Sequence, residues 1–208
     1  YSTKELIEPL NDIILYRALS SSSTNETPYL DEINKFVEWC DKNSLQLNVQ
    51  KTKELIIDFK IKKNNHIPLK IKGENVEIVN KYKYLGVIID EKIKWTEHIN
   101  QVISKANKRL YFVRKLHFFS VDKTLITLFY RSMIESLISF CLVVWGGNCL
   151  DKDRKRVDRV IKKAARYTNN LNFMMSDLCS EYTLRKFNKI KTESSHPLYK
   201  NITQSTRS

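Results

Sequence analysis

Apolar and polar residues follow two different periods along the chain, and the change comes near residue 95. Before it, short runs such as KELIIDF (53–59) and KYKYLGVIID (81–90) mix alternating and continuous apolar positions, which is typical of strands. Between these runs and the start of the chain, residues 28–43 have apolar residues at the spacing of a single helix. After residue 95, apolar residues recur every three to four positions, as in packed helices. The pattern predicts an α+β chain, in which a small antiparallel sheet with a packed helix is followed by a helical bundle.

Three segments are expected from this change of period. Residues 1–95 form the sheet and its helix, residues 96–180 form the helical lobe, and residues 181–208, where the periodicity is lost, form a poorly ordered tail. Thr96 is predicted to cap the first helix of the lobe. The apolar positions of its three helices are Ile99, Val102, Ile103, Ala106, Leu110 and Val113; then Leu125, Leu128, Phe129, Met133, Leu137 and Phe140; then Val157, Val160, Ile161, Ala164 and Ala165.

Aromatic residues accompany both parts of the chain. Tyr82 and Tyr84 share one side of the run 81–90, and Gly86 stands before three β-branched residues, which predicts a strand that bends or is closely approached at the glycine. An ordinary buried strand with a packing glycine is the alternative. Just upstream of the run 81–90, a turn at residues 73–75 predicts a β-hairpin. Most of Tyr111, Phe112, Phe118 and Phe119, and also Trp39, are expected in the core.

Charge is distributed unevenly over the two halves. The formal net charge is +13, yet residues 1–90 hold 13 basic and 13 acidic residues, whereas residues 91–208 hold 23 and 10. The predicted helix 151–167 holds eight cations and three aspartates. A polyanionic partner for the second half accounts for this asymmetry. A basic helix that is merely solvated is the other interpretation.

Several classes of protein and site are disfavoured by the sequence. No run of about 18 apolar residues is present, so a membrane partner is not expected, and the start of the chain does not resemble a signal peptide. A nuclear or cytoplasmic, non-secreted protein is therefore expected. The four cysteines are far apart and lack the spacing of a zinc site, which predicts buried free thiols and no metal site. The oligomeric state is left open.

Several motifs resemble one enzyme family in that family's order and spacing. KYKYLGVIID followed by KWTEHINQVISKANKRLYFVRKL resembles the passage from the primer-grip strands into the thumb of reverse transcriptases of LINE-type (non-LTR) retrotransposons. FVEWCDKNSLQLNVQKTKELIIDF resembles the helix, loop and strand before the primer grip, while FYRSMIESLISFCLVVWGGNC and SSHPLY resemble the thumb and its exit. The resemblance covers residues 12–202. It implies a partial palm and a thumb-like lobe, and thus a truncated fragment of an RNA-directed DNA polymerase that retains nucleic-acid-binding elements.

The resemblance also implies catalytic positions, which this chain fills incompletely. Two aspartates of the family's catalytic turn correspond to Asn11, where an aspartate is lost, and Asp12, a remnant metal-binding carboxylate. Two-metal nucleotidyl transfer needs closely placed carboxylates. The family's other aspartate and its fingers lie upstream, in sequence that this chain lacks. Lys51 corresponds to a possible general acid, although a solvated lysine is the alternative. We expect this chain alone to be inactive and to hold no cofactor, whereas the intact family uses Mg²⁺.

The binding residues follow from the resemblance and from the charge pattern. The implied primer grip comprises Tyr82, Tyr84, Leu85 and Gly86. The nucleic-acid-binding cations are Lys105, Lys108, Arg109, Arg156, Arg159, Lys162, Lys163 and Arg166. The expected partner is a template–primer duplex or hybrid, bound without sequence preference.

Other functions stay open at this stage. The chain could be a non-catalytic nucleic-acid-binding module or a protein-interaction module. Its thumb helices also resemble, more weakly, an N-terminal segment associated with AlkB-homologue 8 dioxygenase-methyltransferases. The His-x-Asp pair that such iron enzymes need is lacking, because the residues two positions after the four histidines are Pro68, Asn100, Phe119 and Leu198.

Overall fold

Two compact units make up the chain in the computed structural model, Tyr1–Ile93 and Lys94–Ser208. The structure describes residues 8–10, 14–19, 27–58, 68–169 and 173–204. Asn11 and Asp12 lie outside the described residues. The division falls two residues before the expected boundary at residue 95.

The described residues of the first unit form parallel strands, one helix and two hairpins. Its elements are β1 Glu8–Leu10, β2 Ile14–Leu19, α1 Thr27–Lys42, β3 Leu45–Leu47, β4 Lys53–Asp58, β5 Lys70–Ile71, β6 Glu74–Asn75, β7 Glu77–Ile78, β8 Lys81–Tyr84 and β9 Val87–Asp90. Strands β2, β4 and β7 form a parallel sheet, β1 pairs with β3 in parallel, and β5–β6 and β8–β9 are antiparallel pairs. The predicted α+β class is confirmed, with small antiparallel sheets. Strands β2 and β4 can pair in parallel because α1 provides the crossover between them.

Helix α1 packs its apolar face on the strands and loops of this unit. Ile33 of α1 belongs to a buried cluster completed by Leu47, Val49, Leu69, Ile71 and Val76. Trp39 was expected in the core, but its side chain is 51% exposed, and its ring stacks at 6.2 Å between centroids on Phe36, which packs against the cluster. The difference arises because Ile33 and Cys40, seven residues apart, define the buried face.

Both hairpins turn on two residues with positive φ. The β8–β9 turn has Leu85 at φ 45° and Gly86 at φ 93°, and the β5–β6 turn has Lys72 at 51° and Gly73 at 84°. Positive φ at both central positions is the type I′ geometry that suits the twist of antiparallel strands. The run 81–90, for which a strand bent or closely approached at the glycine was predicted, is therefore two strands joined at Leu85–Gly86. The predicted hairpin near residue 73 is confirmed.

The second unit is helical throughout its described elements. They are α2 Thr96–Phe118, α3 Lys123–Tyr130, a π-helical turn Arg131–Glu135, α4 Ser136–Ser139, α5 Leu142–Trp145, α6 Asp151–Ala165, α7 Met175–Thr192 and α8 Tyr199–Gln204. Helix α7 continues to Thr192, through part of the segment expected to be a poorly ordered tail. None of the helices in the described ranges is long and apolar enough to cross a membrane.

The segment from α3 to α5 buries a different stripe from the one predicted. Ile126, Tyr130, Ile134, Ile138 and Leu142 are fully buried at intervals of four residues, whereas Leu125, Leu128, Met133 and Phe140 are exposed. A regular α-helix would rotate such a stripe by about 40° at each step. The π-helical turn and the left-handed Cys141, at φ 52°, interrupt that rotation. The regular spacing assumed for this helix was therefore wrong.

Helices α2 and α6 bury the stripes that their sequences predict. The buried residues are Ile99, Val102, Ala106, Leu110 and Val113 in α2, and Val157, Val160, Ile161 and Ala164 in α6. The N-cap of α2 is Trp95, at φ 61°, one residue before the predicted Thr96. All four cysteines are free; Cys40 and Cys149 are buried as expected, but Cys141 is exposed.

Candidate nucleic-acid interface

One face of α6 carries exposed cations along its length. Arg159, Lys163 and Arg166 are exposed and follow one another at intervals of four and three residues, so they lie on the same face. The neighbouring face, with Val160, Ile161 and Ala164, is buried in the unit. The apolar stripe thus fixes the direction in which these cations point.

A cleft of about 370 Å³ brings cations of two elements together. It is lined by Asn107, Leu110 and Arg114 of α2 and by Lys163, Arg166 and Tyr167 at the end of α6. We call this the cationic cleft. Its three cations converge on one space, which a single solvated helix does not provide.

Arg114 was not among the predicted binding residues. It follows Leu110 by four positions, so it borders the buried stripe of α2. That spacing was visible in the sequence. The sequence does not show which border of the stripe lies toward α6, because it does not give the pairing of the helices.

Two of the predicted cations make contacts inside the unit. Nη1 of Arg156 donates to Oδ1 of Asn100 at 2.7 Å and to Oδ1 of Asp153 at 2.9 Å. Arg109 donates from Nη1 to the carbonyl oxygen of Met133 in the π-helical turn. Both guanidinium groups therefore hold α2 to neighbouring elements, and they are poorer candidates for a phosphate than exposed cations.

The other predicted cations are exposed but do not line the cleft. They are Lys105 and Lys108 on α2 and Arg159 and Lys162 on α6. They add to the positive field of the unit without converging on a common point.

The three aspartates of α6 are each bound within the second unit. Asp151 pairs with Arg154 at 3.2 Å, Asp153 is buried with Arg156, and Oδ1 of Asp158 accepts from the backbone N–H of Met175 at 2.8 Å. Asp151 and Asp153 lie in the first turn of the helix, where negative charge suits the helix dipole, and Asp158 lies at its middle. The second half, after Asp158, holds Arg159, Lys162, Lys163 and Arg166 without an acidic residue.

The predicted primer-grip residues lie together in the β8–β9 hairpin. Tyr82 is half-buried and pairs with Ile89, while Tyr84, paired with Val87, is exposed. Leu85 is 76% exposed at the tip, beside the exposed Gly86. The hairpin thus presents an exposed apolar side chain at its tip.

The predicted catalytic positions are described only in part. Lys51 is exposed in the turn before β4, where its backbone N–H donates to Oδ1 of Asn48 at 3.1 Å. Ile14 pairs with Lys53 in the parallel β2–β4 ladder, so Lys51 lies at the end of the sheet where both strands begin. Asn11 and Asp12 are outside the described residues. The described part of the chain holds no group of three or more His, Cys, Asp or Glu residues that could bind a metal.

Comparisons with known proteins give partial and distant matches to this chain. Residues 95–136, which take in α2, α3 and the π-helical turn, match a family described as "Alkylated DNA repair protein alkB homolog 8, N-terminal". The "Probable RNA-directed DNA polymerase from transposon X-element" of Drosophila melanogaster is 23% identical over 137 residues, which are 64% of this chain and 14% of that protein. The chain therefore spans a small part of that relative's length. No solved structure matches. The polymerase match supports a distant, reverse-transcriptase-like relationship.

Proposed function

We propose that the chain is part of a retrotransposon-type RNA-directed DNA polymerase and binds a nucleic-acid duplex or hybrid through the cationic cleft. The observation that carries the proposal is the convergence of Arg114, Lys163 and Arg166 from two packed elements. Cations held this way displace the condensed counterions of a phosphate backbone, which gives affinity without sequence preference. In this proposal the first unit contributes late palm and primer-grip elements, and the second unit is the thumb.

The relationship to a polymerase rests on the transposon relative, whose printed name is that of an RNA-directed DNA polymerase. The charge distribution agrees with that origin, since the whole excess of +13 lies after residue 90. The match of residues 95–136 to the AlkB-homologue family adds no competing chemistry. Of the histidines in that stretch, His98 packs against Trp145 and His117 against Tyr167, with ring centroids 5.4 and 5.1 Å apart.

The proposal also includes the absence of polymerase activity in this chain alone. Asn11 stands where the family's turn has an aspartate, and a neutral amide is a weak ligand for Mg²⁺. We expect no primer extension on an RNA template with Mg²⁺ or Mn²⁺, and no rescue by Asn11→Asp. Extension above that of a blank preparation would overturn this part of the proposal and leave the binding part standing.

The binding part is tested by the salt dependence of affinity for a blunt RNA–DNA hybrid. The full chain is compared with a cleft variant, Arg114→Gln, Lys163→Gln and Arg166→Gln. If each cation contacts one phosphate, the slope of log affinity against log salt flattens by about 2.7 in the variant. Fluorescence anisotropy at four or five salt concentrations measures the slope.

A matched control removes three cations that lie outside the cleft. The variant Lys105→Gln, Lys108→Gln and Lys162→Gln has the same net charge as the cleft variant, and its three side chains are likewise exposed. The cleft variant is expected to lose more slope and more affinity than this control. Equal losses would show that net charge alone attracts the hybrid, and salt-independent or undetectable binding by the wild type would refute the nucleic-acid function.

A further inference from the structure

Four aromatic side chains, most of which were expected in the core, lie on the surface of α2 and at its end. Tyr111 is 50% exposed, Phe112 55%, Phe118 75% and Phe119 70%. The buried side of the helix is occupied by Leu110 and Val113 instead. Large rings gain little stability from such positions, and grouped exposed apolar surface commonly marks a binding site.

Two of the rings flank the ammonium group of Lys115. Tyr111 and Phe118 are seven residues apart, which is nearly two turns, so they lie on one face with a rise of about 10.5 Å between them. Arg114 and Lys115 fall between them at helical spacings of three and four residues. Nζ of Lys115 is 5.7 Å from the centroid of each ring. We call Tyr111, Arg114, Lys115 and Phe118 the aromatic patch.

The aromatic patch is continuous with the cationic cleft. Arg114 belongs to both, since it lines the cleft and neighbours both rings on the helix surface. On the same side, His117 contacts Tyr167, which also lines the cleft, with 5.1 Å between ring centroids. A strand with one phosphate in the cleft therefore meets aromatic faces next to it.

Charge decides which occupant suits this surface. The aromatic patch holds two cations and no acidic residue, and the surrounding exposed surface of α2 adds Lys108. Alternating rings and cations are the combination that binds single strands, because every base has a stacking face and every nucleotide carries a phosphate. An apolar docking helix would not require the cations.

We infer that the aromatic patch stacks unpaired bases of a single-stranded segment, while Arg114 and Lys115 contact its phosphates. The inference rests on the proposed function and deepens it: the second unit binds duplex or hybrid through the cleft, and in addition takes a single strand along α2. The ligand class is single-stranded RNA or DNA, bound with little sequence preference.

The test uses the full chain and two probes at one salt concentration, an oligoadenylate of about 12 nucleotides and a blunt RNA–DNA hybrid. The variant Tyr111→Leu with Phe118→Leu keeps apolar side chains and helix propensity but removes the rings. Loss of stacking is expected to weaken oligoadenylate binding by about 5- to 150-fold per ring. Hybrid affinity is expected to stay within about twofold, because the cleft is intact.

Two control variants separate stacking from other effects. Tyr111→Phe with Phe118→Tyr keeps both ring faces, and its affinity for oligoadenylate is expected to match the wild type. Leu125→Ala with Leu128→Ala removes exposed apolar side chains of α3 that are not part of the aromatic patch, and it is expected to change neither affinity.

The outcomes test the stacking inference separately from the proposed binding of the hybrid. If the leucine variant binds oligoadenylate as tightly as the wild type, or loses hybrid and oligoadenylate affinity equally, the stacking inference is overturned while hybrid binding stands. A wild type that binds the hybrid but not oligoadenylate would likewise overturn the stacking inference and leave hybrid binding standing. The partner of the aromatic patch would then be a protein. If the wild type binds neither probe, the proposed function fails as well.

Discussion

The hydroxyl of Thr96 donates a hydrogen bond of 2.7 Å to Oδ2 of Asp153, whose residue is only 1% exposed. Nη1 of Arg156 donates to the other carboxylate oxygen at 2.9 Å. Thr96 begins α2 and Asp153 lies in the first turn of α6, so the buried carboxylate joins the starts of the two helices that carry the cationic cleft. Its charge is compensated by an ion pair and by the positive end of the α6 dipole.

Asp153→Ala is expected to destabilise the second unit by about 2–3 kcal/mol, because it removes two hydrogen bonds to a charged group and leaves Arg156 without that partner. Denaturant unfolding measures the change. Asp151→Ala is the control from the same helical turn, since its exposed ion pair with Arg154 at 3.2 Å contributes at most about 0.5 kcal/mol. Equal effects of the two substitutions would contradict a special role for Asp153.

Gly146 and Gly147 are adjacent but differ in their surroundings. A Cβ at Gly146 would lie 2.7 Å from the carbonyl oxygen of Leu142 and 3.0 Å from Sγ of Cys179, whereas one at Gly147 meets nothing within 4 Å. Gly146→Ala is therefore expected to destabilise the protein by about 1–3 kcal/mol through overpacking between α5 and α7. Gly147→Ala should leave the thermal midpoint nearly unchanged. A similar midpoint shift in both variants would mean that backbone freedom, and not packing, sets the requirement.

His98 makes the stability of the second unit depend on pH. Burial, and to a lesser extent the charge of Lys105, lowers the pKa of His98 below its ordinary 6.5. Because the folded-state pKa lies below the unfolded one, this stabilisation is fully present above about pH 6.5 and is lost as pH falls through the folded value. The free energy of unfolding is expected to decrease between pH 7.5 and 5.5.

His98→Phe keeps an aromatic ring against Trp145 and removes the titrating group. The decrease in unfolding free energy over this pH range should be smaller in the variant than in the wild type. The other histidines of the sequence are unchanged in the variant, so the comparison isolates His98. Parallel curves for the two proteins would exclude His98 as the source.

The sequence predicted α2 and α6 well because both are regular helices whose buried residues keep a single period. The stripe of Ile126, Tyr130 and Ile134 escaped prediction, since it depends on a π-helical turn that has no distinctive residue pattern. Hydrophobicity alone then favoured the exposed Leu125 and Leu128 for the core. The local period of apolar residues predicts that a helix forms, but it does not predict where the hydrogen bonding of that helix is interrupted.

The candidate site was predictable in composition but not in arrangement. Charge asymmetry identified the second unit, and Lys163 and Arg166 were selected from it. The cleft, however, depends on which edges of α2 and α6 meet, and that is decided by tertiary packing. For the same reason Arg114 was missed, and Arg156 was selected although it is held by Asp153.

Gly86 has φ 93° at the second turn position of the β8–β9 hairpin, a conformation that side chains with a Cβ adopt at a cost. Gly86→Val is expected to destabilise the first unit by more than about 1 kcal/mol, because a β-branched residue is strained there. Thermal unfolding followed by circular dichroism measures the loss. An unchanged midpoint would show that the turn relaxes to another geometry without cost.

Leu85 precedes that glycine at φ 45° with a side chain that is 76% exposed, so it contributes little to the core and occupies a left-handed conformation that costs about 1–2 kcal/mol for an L-residue. Asparagine followed by glycine is the favoured pair for a type I′ turn. Leu85→Asn is therefore expected to raise the free energy of unfolding by about 0.5–1 kcal/mol. If the hairpin tip contacts a primer strand, as proposed, the same variant binds the RNA–DNA hybrid more weakly although it is more stable. Gain of stability with unchanged hybrid affinity would remove the hairpin from the binding surface, and loss of stability would refute the strain assigned to Leu85.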